Sequence, residues 1–252
     1  MPGLPILSLF TYATAQAPAA PAPPAWGYDH DGEDWSTSYP LCAGKMQSPI
    51  DISFSSKDNG RSKDLSDVIL AMNYFHFDAE EQQGFTTPQV SFWDNGHTVQ
   101  VNTPPNAGSL HTALFDCDYQ LVNFHFHSPS DHTIDGRNYA LEMHMVHLCK
   151  ATGKLAVVGI LFEEGNEPNE FLNKLHFRSD LPSGAGLAVN LDNTTLSELF
   201  ATFRHSERHA DRIHYELPLL MAAYNGSLTV PPCTEVFRCV FSFIAHTRGK
   251  YM

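Results

Sequence analysis

The segment from Leu121 to Val146 contains two runs in which polar and apolar residues alternate. This alternation predicts β-strands, because successive side chains of a strand point to opposite faces of a sheet. The first run places His125 and His127 on one face, and the second does the same for Glu142 and His144. A segment rich in Pro, Ser, Asp and Gly separates the runs and predicts a turn. If the two strands pair as antiparallel neighbours, His144 meets the other two histidines.

Such a group of histidines predicts a metal site. Three imidazoles with an open fourth position are the ligand set of a catalytic zinc ion, and neutral ligands leave the ion its full charge for acidifying water. The chain has 14 histidines, so a His-x-His pair also arises by chance. Cupins share the pair, followed by an acid at the spacing of Asp131. The local pattern therefore does not choose a family.

Strand patterns also dominate the rest of the chain. Between Val68 and Phe115, the runs AMNYFHFD, PQVSFWD and HTVQVNT are separated by turn residues and predict strands. The apolar run Lys154–Glu163 predicts a buried central strand. Asn166–Phe177, with a proline near its start, predicts a helix, and Thr195–Glu198 fits a capping box before another. The expected fold class is mainly β, within α+β.

Composition limits the function and the domain organisation. The chain has 28 acidic and 15 basic residues, for a formal net charge of −13, which argues against binding nucleic acid or an anionic membrane. No apolar run approaches the roughly 20 residues of a transmembrane helix. Residues 1–25 are Pro/Ala-rich and predict a signal peptide or a disordered tail. The length suits one or two domains, here within residues 26–252.

Five separated motifs agree with one family. They are WGY with KMQSPI near the start, NGH at 95–97, HFHSPSDHTIDG, LEMHMVH, and GSLTVPPC at 226–233. In this order they resemble the α-class carbonic anhydrases, from about Trp26 to about Glu235. The resemblance implies a twisted, mostly antiparallel central sheet with peripheral helices, and a zinc ion at the bottom of a conical cleft. It also implies reversible hydration of CO2 to bicarbonate by zinc-bound hydroxide, and inhibition by anions or sulfonamides.

The resemblance also implies roles for single residues. The three histidines named above hold the zinc ion. Thr229 accepts the hydroxide's hydrogen and passes its own to Asp131, where the family usually has the longer Glu. His97 resembles the proton shuttle, a role that suits imidazole because it titrates near neutral pH. Since Asp is one methylene shorter than Glu, we expect the Thr229–Asp131 bond to be long or water-bridged.

Further positions surround the predicted metal site. Glu142 and Asn123 lie two residues before His144 and His125 and suit acceptors for the second N–H of those ligands; the family more often has Gln at the Asn123 position. By the resemblance, the apolar side of the predicted substrate pocket consists of Val146, Val157 and Leu228. Val230 replaces the second hydroxyl of the family's Thr-Thr pair, and Gln100 lies on the polar side.

The chain has five cysteines. The resemblance implies a disulfide between Cys42 and Cys233, which favours secretion or the periplasm because such compartments are oxidising. In a regular strand Cys117 shares the face of His125, whereas Cys149 lies on the opposite face from His144. A bridge between Cys117 and Cys149 would need a β-bulge, and we do not expect one.

Two departures from the family support an alternative function. Cys239 stands near the position of a family tryptophan on the pocket wall. The chain stops at Met252, where the family continues with a further strand and an Asn/Arg motif, so we expect a truncated or divergent C-terminus. The missing C-terminal portion, with Asp131 and Asn123, favours a zinc-binding or structural protein with little turnover, whereas the three histidines, Thr229 and His97 favour the enzyme. A cupin-type protein would leave the NGH and SLTVPP segments unexplained.

Overall fold

The structure is a computed structural model that describes residues 25–52, 71–73, 90–103, 108–111, 117–165, 169–175, 177, 182, 186, 188–191 and 221–245. The predicted tail, apart from Ala25, and the Thr195–Glu198 capping box lie outside these residues. No described helix is long and apolar enough to cross a membrane.

Short helices and many strands make up these ranges. The helices are α1 (Trp35–Ser38), a 3₁₀ helix (Pro40–Ala43) and α2 (Glu170–Lys174). The strands are β1 (Asp51–Ile52), β2 (Ala71–Asn73), β3 (Val90–Asp94), β4 (Val99–Asn102), β5 (Ser109–His111), β6 (Tyr119–His127), β7 (Thr133–Ile134), β8 (Arg137–Asn138), β9 (Leu141–Leu148), β10 (Leu155–Phe162), β11 (Ala188–Leu191), β12 (Met221–Ser227) and β13 (Glu235–Ala245).

Ten of the described strands form one sheet. Its main path runs β11-β3-β4-β6-β9-β10-β13-β12, with β5 also paired to β6 and β2 paired to β5. The pair β10–β13 is parallel, and the other described pairs of this sheet are antiparallel. Strands β1, β7 and β8 form a small second sheet. The predicted fold class, a mostly antiparallel sheet with few helices, is confirmed.

The core lies on one face of the central strands. Strand β10 is the predicted buried strand; it lies between β9 and β13 and is buried from Ala156 to Phe162. On β6 and β9, Phe124, Met143 and Met145 are almost fully buried in the core cluster. Because side chains alternate along a strand, the histidines between them point to the opposite face.

Helix α2 is shorter than the sequence predicts. It begins at Glu170, because the side chain of Asn169 accepts a hydrogen bond from the backbone N–H of Leu172 at 2.9 Å and caps the helix there. The described helix ends at Lys174. Pro168, the proline of the predicted helix, precedes the cap and lies outside the described residues.

Candidate metal centre and active site

Strands β6 and β9 bring the three predicted histidines together. They pair as antiparallel neighbours, with His125 directly opposite His144 and His127 opposite Glu142. The ring centroids are 5.1 Å apart for His125 and His127, 5.4 Å for His125 and His144, and 4.6 Å for His127 and His144. One ring nitrogen from each lies within 4.8 Å of the others.

Two of these imidazoles have the acceptors that the sequence predicts. Nδ1 of His125 lies 3.2 Å from Oδ1 of Asn123, and Nε2 of His144 lies 2.7 Å from Oε1 of Glu142. An amide or carboxylate oxygen is an acceptor, so each of these ring nitrogens carries the hydrogen. The lone pair is therefore on Nε2 of His125 and on Nδ1 of His144.

The third imidazole lies beside a carboxylate that the sequence did not predict there. Nδ1 of His127 lies 3.3 Å from Oδ1 of Asp131, and Nε2 of His127 is buried without a hydrogen-bond partner. A buried polar atom without a partner is costly unless something binds it. Three imidazoles that offer one lone pair each, one of them on such an atom, fit a zinc ion.

Burial and charge set the protonation of this group. Burial, and after it the charges of His144 and His127, hold the pKa of His125 well below its usual range. Burial, and after it the charge of His144, lower the pKa of His127 to about 4. Burial would also lower the pKa of His144, but the Glu142 carboxylate outweighs it and raises that pKa. Burial would raise the pKa of Glu142, but His144 and His132 outweigh it and hold that pKa well below its usual range. His125 and His127 are therefore neutral at neutral pH, as metal ligands must be.

Sequence reasoning missed a buried hydrogen-bond chain behind Glu142. Nδ1 of His132 donates to Oε1 of Glu142 at 2.8 Å, and the His132 backbone N–H donates to Oε2 at 2.9 Å. Nε2 of His132 then accepts from the hydroxyl of Tyr224 at 2.7 Å, and that hydroxyl lies 2.6 Å from Oγ of Ser48. His132 directly follows Asp131 in the HSPSDH motif, so its presence there was the available signal.

The predicted disulfide between Cys42 and Cys233 is confirmed, with the Cα atoms 4.9 Å apart. It ties the N-terminal segment to the loop that carries Thr229. Within this loop the Cys233 backbone N–H donates to the carbonyl of Val230 at 2.9 Å. Thr229 is half-buried, and no hydrogen bond joins it to Asp131, whose Oδ2 is buried without a partner. Asp131 contacts His127 instead.

His97 lies on an exposed turn between β3 and β4. Its backbone N–H donates to Oδ1 of Asn95 at 2.9 Å, and its ring stacks on the indole of Trp26. Gln100, the predicted polar pocket residue, lies on β4 opposite His125, and its Nε2 donates to Oδ1 of Asn102 at 2.6 Å.

The predicted apolar residues fall in two places. Val146 on β9 and Val157 on β10 are directly opposite each other, and both are buried. Val146 follows His144 by two residues and therefore shares its face. Leu228 and Val230 are half-buried in the Thr229 loop, where Leu228 packs against a small cluster around Ile52.

The expectation that Cys117 and Cys149 stay unpaired is wrong. A disulfide joins them, with the Cα atoms 6.1 Å apart. The register between β6 and β9 shifts between Leu121 and Asn123, which is the bulge that such a bridge needs. The bulge reverses the faces that the side chains before it occupy. Leu121 therefore shares the core face with Phe124, and Cys117 packs beside the core.

Comparisons with known proteins agree with this arrangement. The sequence profile of the eukaryotic-type carbonic anhydrase family matches residues 30–243. Alpha carbonic anhydrase 4 of Arabidopsis thaliana is 35% identical over 207 residues, which span 81% of this chain and 64% of that relative. Carbonic anhydrase of Klebsiella pneumoniae is 30% identical over 216 residues, or 83% of this chain and 73% of that protein.

A solved structure is also similar. The α-carbonic anhydrase of Thermovibrio ammonificans, in complex with the inhibitor sulfanilamide, superposes with a TM-score of 0.66 at 26% identity. The superposition covers 90% of this chain and 86% of that chain.

Proposed function

Because this chain belongs to the eukaryotic-type carbonic anhydrase family, we propose that it is a zinc enzyme that catalyses the reversible hydration of CO2 to bicarbonate and a proton. The observation that carries the proposal is the group of His125, His127 and His144. One ring nitrogen from each lies within 4.8 Å of the others, and each imidazole has a side-chain oxygen beside its second nitrogen.

The ligand atoms follow from these partners. Nε2 of His125, Nε2 of His127 and Nδ1 of His144 would hold the ion, because the other ring nitrogens lie beside oxygens of Asn123, Asp131 and Glu142. When bound, zinc supplies Lewis acidity that brings the pKa of a water molecule into the neutral range, a behaviour for which carbonic anhydrases are the standard example. Neutral ligands suit this role because they leave the ion its full charge.

Proton handling falls to three further residues. Thr229, half-buried in the loop tied down by the Cys42–Cys233 bridge, would accept a hydrogen from the attacking water and so direct an oxygen lone pair at CO2. By the resemblance, Asp131 would receive the hydrogen of Thr229, through a water molecule since no direct hydrogen bond joins the two side chains. His97, exposed on its turn, would carry the released proton to the solvent.

The apolar and polar sides of the pocket have separate tasks. Val146 and Val157 lie next to each other on the central strands and would receive CO2 together with Leu228. Val230 cannot donate or accept a hydrogen bond through its side chain, so bicarbonate and inhibitors would have one polar contact fewer there. Gln100, opposite His125 on β4, would contribute to the hydrophilic side.

The metal site and the disulfides also indicate which inhibitors the protein would bind and where it would be located. Sulfonamides and small anions should bind the zinc ion; the similar Thermovibrio ammonificans enzyme forms a complex with the inhibitor sulfanilamide. The two disulfides favour an extracellular or periplasmic location, because thiols stay reduced in the cytosol.

A second candidate function is a zinc-binding protein of this family with little turnover. The contact of Asp131 with His127, and not with Thr229, favours it, because the hydrogen that orients Thr229 would then have no fixed acceptor. Misplacement of a catalytic group by about 1 Å can lower a rate about 100-fold.

Stopped-flow measurement of CO2 hydration on protein of known zinc content decides between the two. The proposal predicts hydration that scales with zinc occupancy and stops on addition of sulfanilamide. Full zinc occupancy without hydration above the buffer rate would overturn the enzyme proposal and support the second candidate.

A further inference from the structure

We propose that Asp131 is a positioning residue for the zinc ligand His127, which it holds in the tautomer that binds the metal. The proposal rests on the metal site proposed above and assigns Asp131 a role other than the orientation of Thr229. It starts from the 3.3 Å contact between Oδ1 of Asp131 and Nδ1 of His127.

Both groups are largely withdrawn from water. The side chain of His127 is 7% exposed and that of Asp131 is 22% exposed. Solvent therefore competes weakly for the imidazole, and the carboxylate is an acceptor within contact of its Nδ1. An ionised carboxylate only accepts, so the hydrogen of a neutral His127 must lie on Nδ1. The lone pair is then on Nε2, the buried atom that has no hydrogen-bond partner in the structure.

The contact completes a set of three. Asn123 lies beside Nδ1 of His125, Glu142 beside Nε2 of His144, and Asp131 beside Nδ1 of His127. A metal-ligating histidine usually donates its second N–H to a carboxylate or carbonyl oxygen, which fixes the ring and raises its basicity. Without Asp131, no described group would do this for His127.

The backbone on both sides of Asp131 is anchored. The Ser130 N–H donates to the carbonyl of Tyr139 at 2.9 Å, and Oγ of Ser130 accepts from the Tyr139 N–H at 2.8 Å. On the other side, the His132 N–H donates to Oε2 of Glu142 at 2.9 Å. Ser130 and His132 are both almost fully buried. The carboxylate is therefore placed in advance, and little ordering is needed when His127 binds a metal.

The test measures zinc affinity and the His127 tautomer in the full chain. Zinc dissociation constants, from competition with a chromophoric chelator, are compared for the parent, Asp131→Ala and Asp131→Asn. We expect Asp131→Ala to weaken zinc binding by about 10- to 100-fold, the range for lost partners of metal ligands, and Asp131→Asn to weaken it less. Asp135→Asn, an exposed acid four residues away, is the matched control and should leave the affinity unchanged.

The second measurement does not need metal. Long-range ¹H–¹⁵N NMR of metal-free, ¹⁵N-labelled protein should show the hydrogen of His127 on Nδ1 in the parent, and a mixture of tautomers in Asp131→Asn. Circular dichroism identifies the variants that remain folded. If Asp131→Ala is unfolded, the tautomer is tested by the NMR spectrum of Asp131→Asn. A hydrogen on Nε2 in the parent would overturn the proposal, as would zinc affinity unchanged within about twofold in folded Asp131→Ala.

The outcomes separate this proposal from the enzyme proposal. A parent that binds zinc, loses affinity in Asp131→Ala and hydrates no CO2 supports the positioning role and contradicts the enzyme function. A parent that hydrates CO2, and whose Asp131→Ala variant is slower at unchanged zinc affinity, supports the enzyme and overturns the positioning role in favour of Thr229 orientation.

Discussion

The imidazole of His97 lies flat against the indole of Trp26, with 3.7 Å between ring centroids and 9° between ring planes. Trp26 is itself packed edge-to-face against Tyr28 and Trp35, at centroid distances of 5.6 and 5.3 Å. Nε1 of Trp35 donates to the carbonyl of Gly27 at 2.8 Å. An aromatic platform built by the N-terminal segment thus supports the exposed histidine that the proposed function uses as a proton carrier.

The first prediction concerns this histidine. His97→Ala should slow CO2 hydration in dilute buffer by on the order of 10- to 100-fold, because proton transfer to bulk water then lacks the imidazole that the proposed function uses as a proton carrier. Stopped-flow rates at equal zinc content measure the effect. Added imidazole buffer should restore most of the rate, whereas it should not change that of the exposed-histidine control His30→Ala. An undiminished rate for His97→Ala in dilute buffer would remove His97 from the mechanism.

The second prediction concerns the metal. His144→Ala should remove zinc from the protein as purified, because two imidazoles are a poor ligand set and the Glu142 carboxylate loses its link to the site. Metal analysis after dialysis against a weak chelator measures the zinc content. His30→Ala should keep the zinc content of the parent. Near-stoichiometric zinc in folded His144→Ala would show that the three histidines are not the ligand set.

The third prediction concerns pH. Burial lowers the pKa values of His127 and His147 to about 4, against 6.5 for an unfolded histidine. Below pH 6.5 the unfolded chain therefore binds more protons than the folded chain. The stability that these neutral imidazoles contribute is complete above about pH 6.5 and is lost as the pH falls through about 4, by at most about 3 kcal/mol for each.

Urea unfolding of the metal-free protein at a series of pH values across this window measures the loss. His127→Gln should flatten the pH dependence, since glutamine does not titrate, whereas His30→Gln should leave it as in the parent. Stability that rises on acidification through this window would contradict the depressed pKa values.

The fourth prediction concerns the Cys117–Cys149 bridge, which closes a loop with a sequence separation of 32. Replacing both cysteines with serine should lower the free energy of unfolding by about 3–4 kcal/mol, the loop-closure entropy for a segment of this length. Denaturant unfolding of the double variant under non-reducing conditions, so that the Cys42–Cys233 bridge stays intact, measures the change. Peptide mapping without reduction should recover Cys117 and Cys149 in one linked pair. Recovery as free thiols from protein made in an oxidising compartment would contradict the bridge.

The alternation of apolar and polar residues was enough to predict strands β6 and β9, whereas their antiparallel pairing was assumed. On β6 and β9 a histidine that faces away from Phe124 and Met143 can only point to the site, because a strand has two faces and the apolar one is buried. The spacing of His125, His127 and His144 therefore predicted their meeting. It also predicted that Asn123 and Glu142, two residues before their histidines, would lie on the same face.

Other relationships depended on geometry that a spacing does not encode. The bulge between Leu121 and Asn123 reverses the faces earlier in β6 and brings Cys117 to Cys149, whereas a regular strand would keep them apart. Nothing in the local pattern marks the inserted residue, because the register is set by the pairing with β9. Likewise, Tyr224 and His132 are 92 positions apart and meet only because β12 returns to the site.

Asp131 shows both contributions, that of the sequence and that of the tertiary structure, in a single residue. The family resemblance of the motif HSPSDH placed an acid, Asp131, at the active site. The tertiary structure decided which group the acid contacts. The anchored backbone at Ser130 and His132 places the short carboxylate beside His127, and no hydrogen bond joins it to Thr229. Sequence patterns determine which face of a strand a side chain occupies, because that face depends only on alternation. The partner of a turn residue depends on distances between segments far apart in the chain, and only the folded arrangement sets those.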